Sequence, residues 1–247
     1  MKLEIDDLNL PEFLGEAARF GSATYGYVVT PNVDHLIRYF DEIRFRNLYS
    51  GASFVLLDSQ FLARMLRLRH ALRLNVCPGS DIVAELFANV IVPADKVVLI
   101  GASVDQASKL VTRFALQNLH HKCPPMGFIN SPALVEECLQ FIEQVSPFRY
   151  CLLAVGSPQQ EELAYQLALR GRARGLALCV GASIDFLTGK ERRAPKWMRK
   201  FALEWLYRLS RNPARLAHRY LVRGPRVFLI VNLMAFSRRH MRRHEDV

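Results

Sequence analysis

Short apolar stretches alternate with longer amphipathic ones along most of the chain. The apolar stretches predict strands at residues 26–30, 53–57, 96–100, 150–155 and 176–180. Between them, apolar residues recur at helical spacing over residues 33–45, 61–72, 82–88, 104–119, 132–145 and 159–172. Strands that are apolar almost throughout are typical of parallel sheets, because helices cover such sheets on both faces. The pattern therefore predicts an α/β protein with a mostly parallel sheet.

Small and polar residues follow the predicted strands. In open parallel sheets, ligands bind at the carboxyl ends of the strands, so these residues are candidates for a binding site. The candidates are Thr30, Asn32, Asp58, Gly101, Gly156, Gln160, Glu161 and Asp185. Glycines let the backbone approach a phosphate closely, and helix N-termini supply N–H donors. The chain contains neither G-x-G-x-x-G nor G-x-x-x-x-G-K-[ST], which argues against a classical dinucleotide or P-loop site.

Each of these residues also has a purely structural explanation. Asp58 is suited to act as a general base or to hold a metal, but aspartate is equally favoured as a helix N-cap. Gln160 and Glu161 suit a uracil edge or a sugar hydroxyl, although glutamate in a first turn also suits the helix dipole. Asp185 fits a cap or a turn. Thr30 and Asn32 fit the turn around Pro31, and Asn32 fits a substrate contact as well.

The stretch from Ala194 to Pro225 combines aromatic and basic residues. Its apolar residues Trp197, Phe201, Trp205 and Leu209 recur every four positions, and Arg208, Arg211, Arg215 and Arg219 follow at similar spacing. Guanidinium groups suit phosphate oxygens, and tryptophan suits the boundary between lipid headgroups and acyl chains. We interpret the stretch as a segment that meets a phosphate-bearing ligand at a membrane surface. The alternative is a surface helix with a solvated basic face, and Pro213 and Pro225 are expected to interrupt either.

The net charge of +10 is concentrated at one end of the chain. Residues 190–247 contain 16 Lys and Arg against 4 Asp and Glu, whereas residues 1–189 contain 17 against 19. This asymmetry favours nucleic acid or anionic lipid as a partner of the C-terminal part. The longest apolar run, residues 227–236, is shorter than the roughly 20 residues of a membrane span. The acidic N-terminus lacks a signal peptide, and five scattered cysteines suit a reducing compartment, so we expect a cytosolic protein.

Five motifs in this order resemble the WecG/TagA/CpsF family of bacterial glycosyltransferases. They are TPN (30–32), GSD (79–81), GSPQQE (156–161), GASIDFLTGKERRAPKWM (181–198) and LEWLYRLSRNPARLAHRYL (203–221). The resemblance extends from about Tyr25 to Pro225. It implies a Rossmann-like catalytic domain over residues 1–189 and a basic, helical, membrane-associating appendage over residues 190–247.

The resemblance also implies an activity. Members of the family transfer a sugar from a UDP-sugar to a polyprenyl-diphosphate-linked sugar at the cytoplasmic face of the plasma membrane, with inversion and without a metal or another cofactor. By resemblance, Asp58 corresponds to the general base, Thr30, Asn32 and Gln160 belong to the substrate pocket, and Arg208, Arg215 and Arg219 meet a diphosphate. We add Arg193 to the expected substrate contacts. A homo-oligomer is left open.

One motif departs from the family pattern. Many members read A-D-G-x-G-V around the base, whereas this chain reads Leu57-Asp58-Ser59-Gln60-Phe61. The aspartate is kept and both glycines are lost, which favours a hexosyltransferase of exopolysaccharide synthesis over a teichoic acid enzyme. UDP-glucose is the first expectation for the donor, followed by UDP-N-acetylmannosamine or its uronic acid. The rival hypotheses are a catalytically inactive scaffold and a nucleic-acid-binding protein with a basic tail.

Overall fold

The structure, a computed structural model, describes residues 1–239, apart from the side chain of Arg215. Its strands are β1 (Lys2–Asp6), β2 (Tyr25–Val29), β3 (Phe54–Val55), β4 (Lys96–Gly101), β5 (Asn118–Lys122), β6 (Tyr150–Ala154), β7 (Gly175–Cys179) and β8 (Ala235–Arg239). Its α-helices are α1 (Leu10–Phe20), α2 (Val33–Asp41), α3 (Ile43–Ser50), α4 (Gln60–His70), α5 (Gly79–Glu85), α6 (Val104–Phe114), α7 (Pro132–Val145), α8 (Gln159–Arg170), α9 (Ser183–Leu187), α10 (Lys196–Lys200), α11 (Glu204–Arg211), α12 (Pro213–Ala217) and α13 (Val227–Leu233).

Six strands form a parallel sheet in the order β3-β2-β7-β6-β4-β5. Successive residues of each central strand enter two different cores. In β6, Cys151 and Leu153 pack into the core on one face, and Leu152 packs into the core on the other. Both faces are covered by helices, which is why these strands carry no polar alternation. The predicted Rossmann-like α/β fold is confirmed.

Two predicted helices differ from the structure. The helix expected over residues 33–45 is interrupted at Glu42, whose extended backbone separates α2 from α3. The helix expected to reach residue 119 ends at Phe114, where Ala115 adopts a left-handed conformation with φ of 52°. The residues that follow form β5, an edge strand with the sequence NLHHK that is only partly buried. Because an edge strand has a single neighbour, it needs few apolar residues, and its sequence carries little strand signal.

The basic, aromatic stretch is not one helix. It is divided into α10, α11, α12, a π-helical segment (His218–Arg223) and a short 3₁₀ turn (Gly224–Arg226) before α13. Pro213 begins α12, as expected for a proline at the first helical position. A further break lies between α10 and α11, where Ala202 has a φ of 62°. The continuous ladder of arginines suggested by the spacing is therefore absent from residues 194–225.

The C-terminal segment returns to the N-terminus. Strand β8 pairs with β1 in a separate parallel sheet of two strands, and neither strand was predicted. The buried carboxylate of Asp6 accepts a hydrogen bond from the backbone N–H of Val55 at 2.7 Å, which joins β1 to the edge of the main sheet. Arg239 donates to the carbonyl of Ala52 at 2.8 Å. The segment after residue 190 is thus attached to the α/β body at both of its described ends.

In the described part of the chain, no helix is long and apolar enough to cross a membrane. The apolar residues of α13 are instead used for packing, since Val227, Ile230 and Val231 are buried against α2 and α4.

Candidate active site

The carboxyl ends of β2, β3, β6 and β7 open into a cavity of about 720 Å³. Residues of α11, α12 and the π-helical segment form its opposite wall, so the cavity lies between the body and the appendage. We call it the first cavity. Of the residues predicted from the sequence, it is lined by Thr30, Asn32, Asp58, Gly156, Gln160, Arg208 and Arg219. Parallel strands bring these positions together although they are distant in sequence.

A second cavity of about 650 Å³ adjoins the first. It lies between α2, α4 and the appendage, and much of its wall is apolar, with Phe61, Trp205 and Phe228 among its residues. The two cavities share part of one wall. The shared residues are Asn32, Asp34, Asp58, Ser80, Arg208, Arg219 and Tyr220. A group on this wall can contact two ligands at once, one in each cavity.

Asp58 is the carboxylate on the shared wall that follows an apolar strand. One of its oxygens accepts a hydrogen bond from the backbone N–H of Gly79 at 2.9 Å. Burial raises the pKa of Asp58 above its usual range, and the guanidinium of Arg208 and the Gly79 amide partly oppose that rise. Ser59, and not Asp58, caps α4, since its hydroxyl accepts from the amide of Leu62 at 3.2 Å. Asp58 is therefore not the N-cap of α4, although its carboxylate accepts from the first backbone N–H of α5.

Asn32 has a structural role and also lines both cavities. Its side-chain oxygen caps α2 by accepting from the amides of Asp34 at 3.0 Å and His35 at 3.3 Å. The residue also lies in the wall of both cavities. Thr30 lines the first cavity beside Gly79, where an added Cβ would lie 3.3 Å from the threonine hydroxyl.

Gln160, in the first turn of α8, connects this helix to the loop after β7 in the wall of the first cavity. Its side-chain oxygen accepts from the amide of Gly181 at 2.8 Å, and its nitrogen donates to Glu161 at 2.7 Å. Glu161 is fully buried and does not line the cavity, and its second oxygen has no hydrogen-bond partner among the described residues. Glu161 therefore fixes the orientation of the Gln160 side chain from inside the protein.

The nearby imidazole of His35 forms a hydrogen bond with the hydroxyl of Tyr49 at 2.9 Å. Burial lowers the pKa of His35, although the charge of Glu161 acts in the opposite direction.

Besides Glu161, two predicted residues, Gly101 and Asp185, line neither cavity. Gly101 has a φ of 92°, and a Cβ there would lie 2.6 Å from the carbonyl oxygen of Ala154, so glycine is required by the approach of β4 to β6. Asp185 accepts from the buried side chain of Gln106 at 2.8 Å and pairs with Lys190 at 3.3 Å. It anchors α9 to α6, which positions the loop after β7 without contact with the cavity.

The predicted arginines occupy different surroundings. Arg208 pairs with Glu204 and lies over the ring of Phe186 at 5.4 Å. Arg219 lies 3.5 Å from the buried carboxylate of Asp34. Arg193 forms a two-pronged ion pair with Asp81 and lines only the second cavity. The side chain of Arg215 lies outside the described part of the structure.

The amino-acid sequence matches a known protein family. The sequence model described as "Glycosyl transferase WecG/TagA/CpsF family" matches residues 1–241. The chain belongs to this family. Its members are glycosyltransferases, and the enzyme therefore has a sugar donor and an acceptor as substrates. The rival hypothesis of a nucleic-acid-binding protein loses its basis, because the appendage is part of the matched region and walls the site.

Several residues that line the first cavity were missed from the sequence. Asp34, His35 and Arg38 line the first cavity from α2, and Asp34 pairs with Arg38 at 3.2 Å. Their spacing marks one face of a helix, which is a recognisable signal, but the same spacing occurs on any solvated helix. Lys190, Arg192 and Arg211 also line the cavity, and no pattern separates them from the other basic residues of the appendage. Within residues 1–239, no three His, Cys, Asp or Glu side chains come together as a metal site.

Proposed function

We propose that the enzyme transfers a hexose, with inversion, from a UDP-sugar in the first cavity to a lipid-linked sugar that enters through the second. The observation that carries this proposal is the position of Asp58 in the wall that the two cavities share. A base at this point can reach an acceptor hydroxyl on one side while the anomeric carbon lies on the other. We propose Asp58 as that base.

The first cavity suits a nucleoside diphosphate. Its lining contains seven Lys and Arg against three Asp and Glu: Arg38, Lys190, Arg192, Arg208, Arg211, Arg219, Arg223, Asp34, Asp58 and Glu191. Gly156 and Ser157 precede α8 in the same wall, and helix N-termini attract phosphates. The hydroxyl of Ser157 is buried and lacks a hydrogen-bond partner among the described residues. We place the donor diphosphate against this helix, and Thr30, Asn32 and Gln160 among the donor contacts.

The reaction is a single displacement. The acceptor oxygen attacks the anomeric carbon as the bond from that carbon to the β-phosphate oxygen breaks, and UDP leaves with the bonding electrons. The proton of the acceptor hydroxyl passes to the carboxylate of Asp58. The raised pKa of Asp58 suits a base, because a more basic carboxylate takes the proton more readily. The guanidinium groups of Arg208 and Arg219 stabilise the charge that develops on the leaving diphosphate.

We further propose that the appendage, residues 190–247, places the enzyme on the cytoplasmic face of the plasma membrane. Exposed large apolar side chains are concentrated in its described part: Trp197, Phe201, Leu206, Leu221, Val222, Phe228, Leu229 and Leu233. Basic residues lie among them, which is the composition of interfacial segments on anionic lipid. A membrane position would bring the second cavity to an acceptor carried on polyprenyl diphosphate.

For the donor we propose UDP-glucose, in exopolysaccharide synthesis, with UDP-N-acetylmannosamine or its uronic acid as the alternative. The departure at Leu57-Asp58-Ser59 supports this choice. The backbone at residues 59–61 has no positive φ, so the lost glycines are not needed for the start of α4. The difference is therefore one of side chains beside the base, where they bear on substrate choice.

The test is UDP release from a panel of UDP-sugars with a prenyl-diphosphate-linked sugar as acceptor. We expect turnover by the wild type and a loss of about 10²–10⁴-fold in Asp58→Asn. Asp105→Asn is the matched control, because Asp105 is exposed on α6 and pairs only locally with Lys109. Equal rates in Asp58→Asn and the wild type would exclude the assigned base. Absence of UDP release with every donor would favour the scaffold hypothesis.

A further inference from the structure

The second cavity has a cationic side that belongs to it alone. Arg193, Lys196, Arg199 and Lys200 line the second cavity and not the first. They come from the turn before α10 and from α10 itself. The arginines proposed to face the donor, Arg208 and Arg219, lie on the shared wall instead. The enzyme thus has two separate groups of cations.

This second group is held in place by the body. Asp81, in α5, pairs with Arg193 and lies 3.5 Å from Arg199, so one carboxylate organises two guanidinium groups. Arg64 of α4 donates to the carbonyls of Lys200 at 2.7 Å and Phe201 at 3.2 Å, which fixes the end of α10. The Nε atoms of Arg193 and Arg199 are buried and have no hydrogen-bond partner among the described residues. With Asp81 as their anionic partner, the four cations keep an excess of positive charge.

Another part of the cavity wall is apolar. Ile37, Phe61, Trp205, Val227 and Phe228 line it, and the ring of Phe61 contacts that of Phe228 edge to face at 6.0 Å. A ligand that satisfies both regions carries phosphate at one position and a hydrocarbon chain at another. Trp197 and Phe201 are exposed on the same short segment as the cationic group, and tryptophan is enriched where proteins meet lipid headgroups.

We propose that Arg193, Lys196 and Arg199 bind the diphosphate of the lipid acceptor, separately from the arginines that stabilise the donor diphosphate. The prenyl chain lies along the apolar wall and the acceptor sugar reaches Asp58 across the shared wall. This inference rests on the proposed function. It adds that the two diphosphates are bound by different cations. Loss of the α10 cations should therefore weaken the binding of the acceptor and leave the binding of UDP intact.

The two tryptophans of the chain provide the measurement. Trp205 lines the second cavity, and neither Trp197 nor Trp205 lines the first. In a Trp197→Phe background, Trp205 is the single tryptophan. With excitation that is selective for tryptophan, titration with farnesyl diphosphate should change its emission. Farnesol and inorganic pyrophosphate, each added alone, should bind at least about tenfold more weakly, because each satisfies only one region of the cavity. Equal binding of farnesol and farnesyl diphosphate would overturn the proposal.

The variants are compared in the same background. Arg199→Gln should raise the Kd for farnesyl diphosphate about tenfold and leave the Kd for UDP, measured by calorimetry, within twofold. Lys196→Gln, at an exposed position, tests the same site if Arg199→Gln does not fold. The control is Arg172→Gln, because Arg172 is exposed and lines neither cavity. Unchanged farnesyl diphosphate binding in both α10 variants, or an equal loss of UDP binding, would refute the assignment. Wild-type binding of farnesyl diphosphate without binding of UDP would instead refute the proposed donor and leave this site standing.

Discussion

The carboxylate of Asp58 accepts a hydrogen bond from the backbone N–H of Gly79 at 2.9 Å, so the strand end after β3 is joined to the first residue of α5. This hydrogen bond uses one of the two carboxylate oxygens for a contact within the protein. The carboxylate also lies within the electric field of the Arg208 guanidinium, which comes from the appendage. The protonation of the proposed base therefore depends on a residue about 150 positions away in sequence.

The first prediction concerns pH. Burial raises the pKa of Asp58 above 3.8, and the charge of Arg208 lowers it again in part. A base must be deprotonated, so activity falls as the pH drops through that pKa, and the acid limb should lie above the ordinary aspartate range. Arg208→Gln removes the opposing charge and should move the limb of kcat/KM to higher pH, in addition to lowering the rate. An unshifted acid limb in this variant would mean that Asp58 does not control it.

The second prediction compares two glycines with similar backbone angles. Gly101 and Gly156 have φ of 92° and 82°, but an added Cβ meets Ala154 at the first and nothing within 4 Å at the second. We expect Gly101→Ala to lower the free energy of unfolding by roughly 2–5 kcal/mol and Gly156→Ala by roughly 1–2 kcal/mol. Urea denaturation measures both. Because Gly156 lines the first cavity, Gly156→Ala should also lose affinity for UDP. A larger loss of stability in Gly156→Ala than in Gly101→Ala would contradict the packing described for β4.

A third prediction concerns the buried pair behind the first cavity. In Gln160→Glu, two carboxylates would face each other where Gln160 now donates to Glu161 at 2.7 Å. With both groups buried, we expect a loss of roughly 3–5 kcal/mol in the free energy of unfolding at neutral pH. Gln166→Glu is the matched control, since Gln166 donates to Glu162 over the same 2.7 Å on a more exposed part of α8. There the loss should stay below about 1 kcal/mol, and similar losses in both variants would show that burial is not the cause.

The fourth prediction concerns the membrane surface. Trp197 and Phe201 are 58% and 59% exposed, and their joint replacement by serine should reduce binding to anionic vesicles at least about tenfold. Val104 and Leu169 are 71% and 69% exposed on the body, and their replacement by serine is the control. Co-sedimentation with vesicles measures both. If the body variant loses as much binding as the appendage variant, the appendage is not the membrane-facing surface.

Most of the sheet was predictable from the sequence because its central strands are buried on both faces. In a strand such as residues 150–154, burial on both faces disfavours polar residues, and the resulting run of apolar side chains predicts a strand clearly. Strands β1, β5 and β8 were missed because each lies at an edge or in a sheet of two, where exposure permits polar residues. The candidate site was predictable where a residue follows a buried strand, as for Asp58 and Gly156.

The remaining site residues depend on packing between distant segments. The sequence analysis grouped Arg193 with Arg208 and Arg219 as expected substrate contacts. The structure separates Arg193, which pairs with Asp81 in the second cavity, from the two arginines on the shared wall. Asp185 and Gly101 matched the strand-end pattern equally well. In the structure, however, Asp185 accepts from Gln106 inside the body, and Gly101 allows β4 to approach β6 closely.

The sequence by itself determined the α/β class, the family and the edge of the sheet where chemistry is expected, because strand burial and motif order are local properties. Only the tertiary structure decided that the appendage closes a site with two cavities, and which cations face each of them. Those features arise from contacts between residues far apart in the chain, such as Arg239 with Ala52 and Arg199 with Asp81. No local pattern encodes such a contact, since its energy depends on where the rest of the chain places the partner.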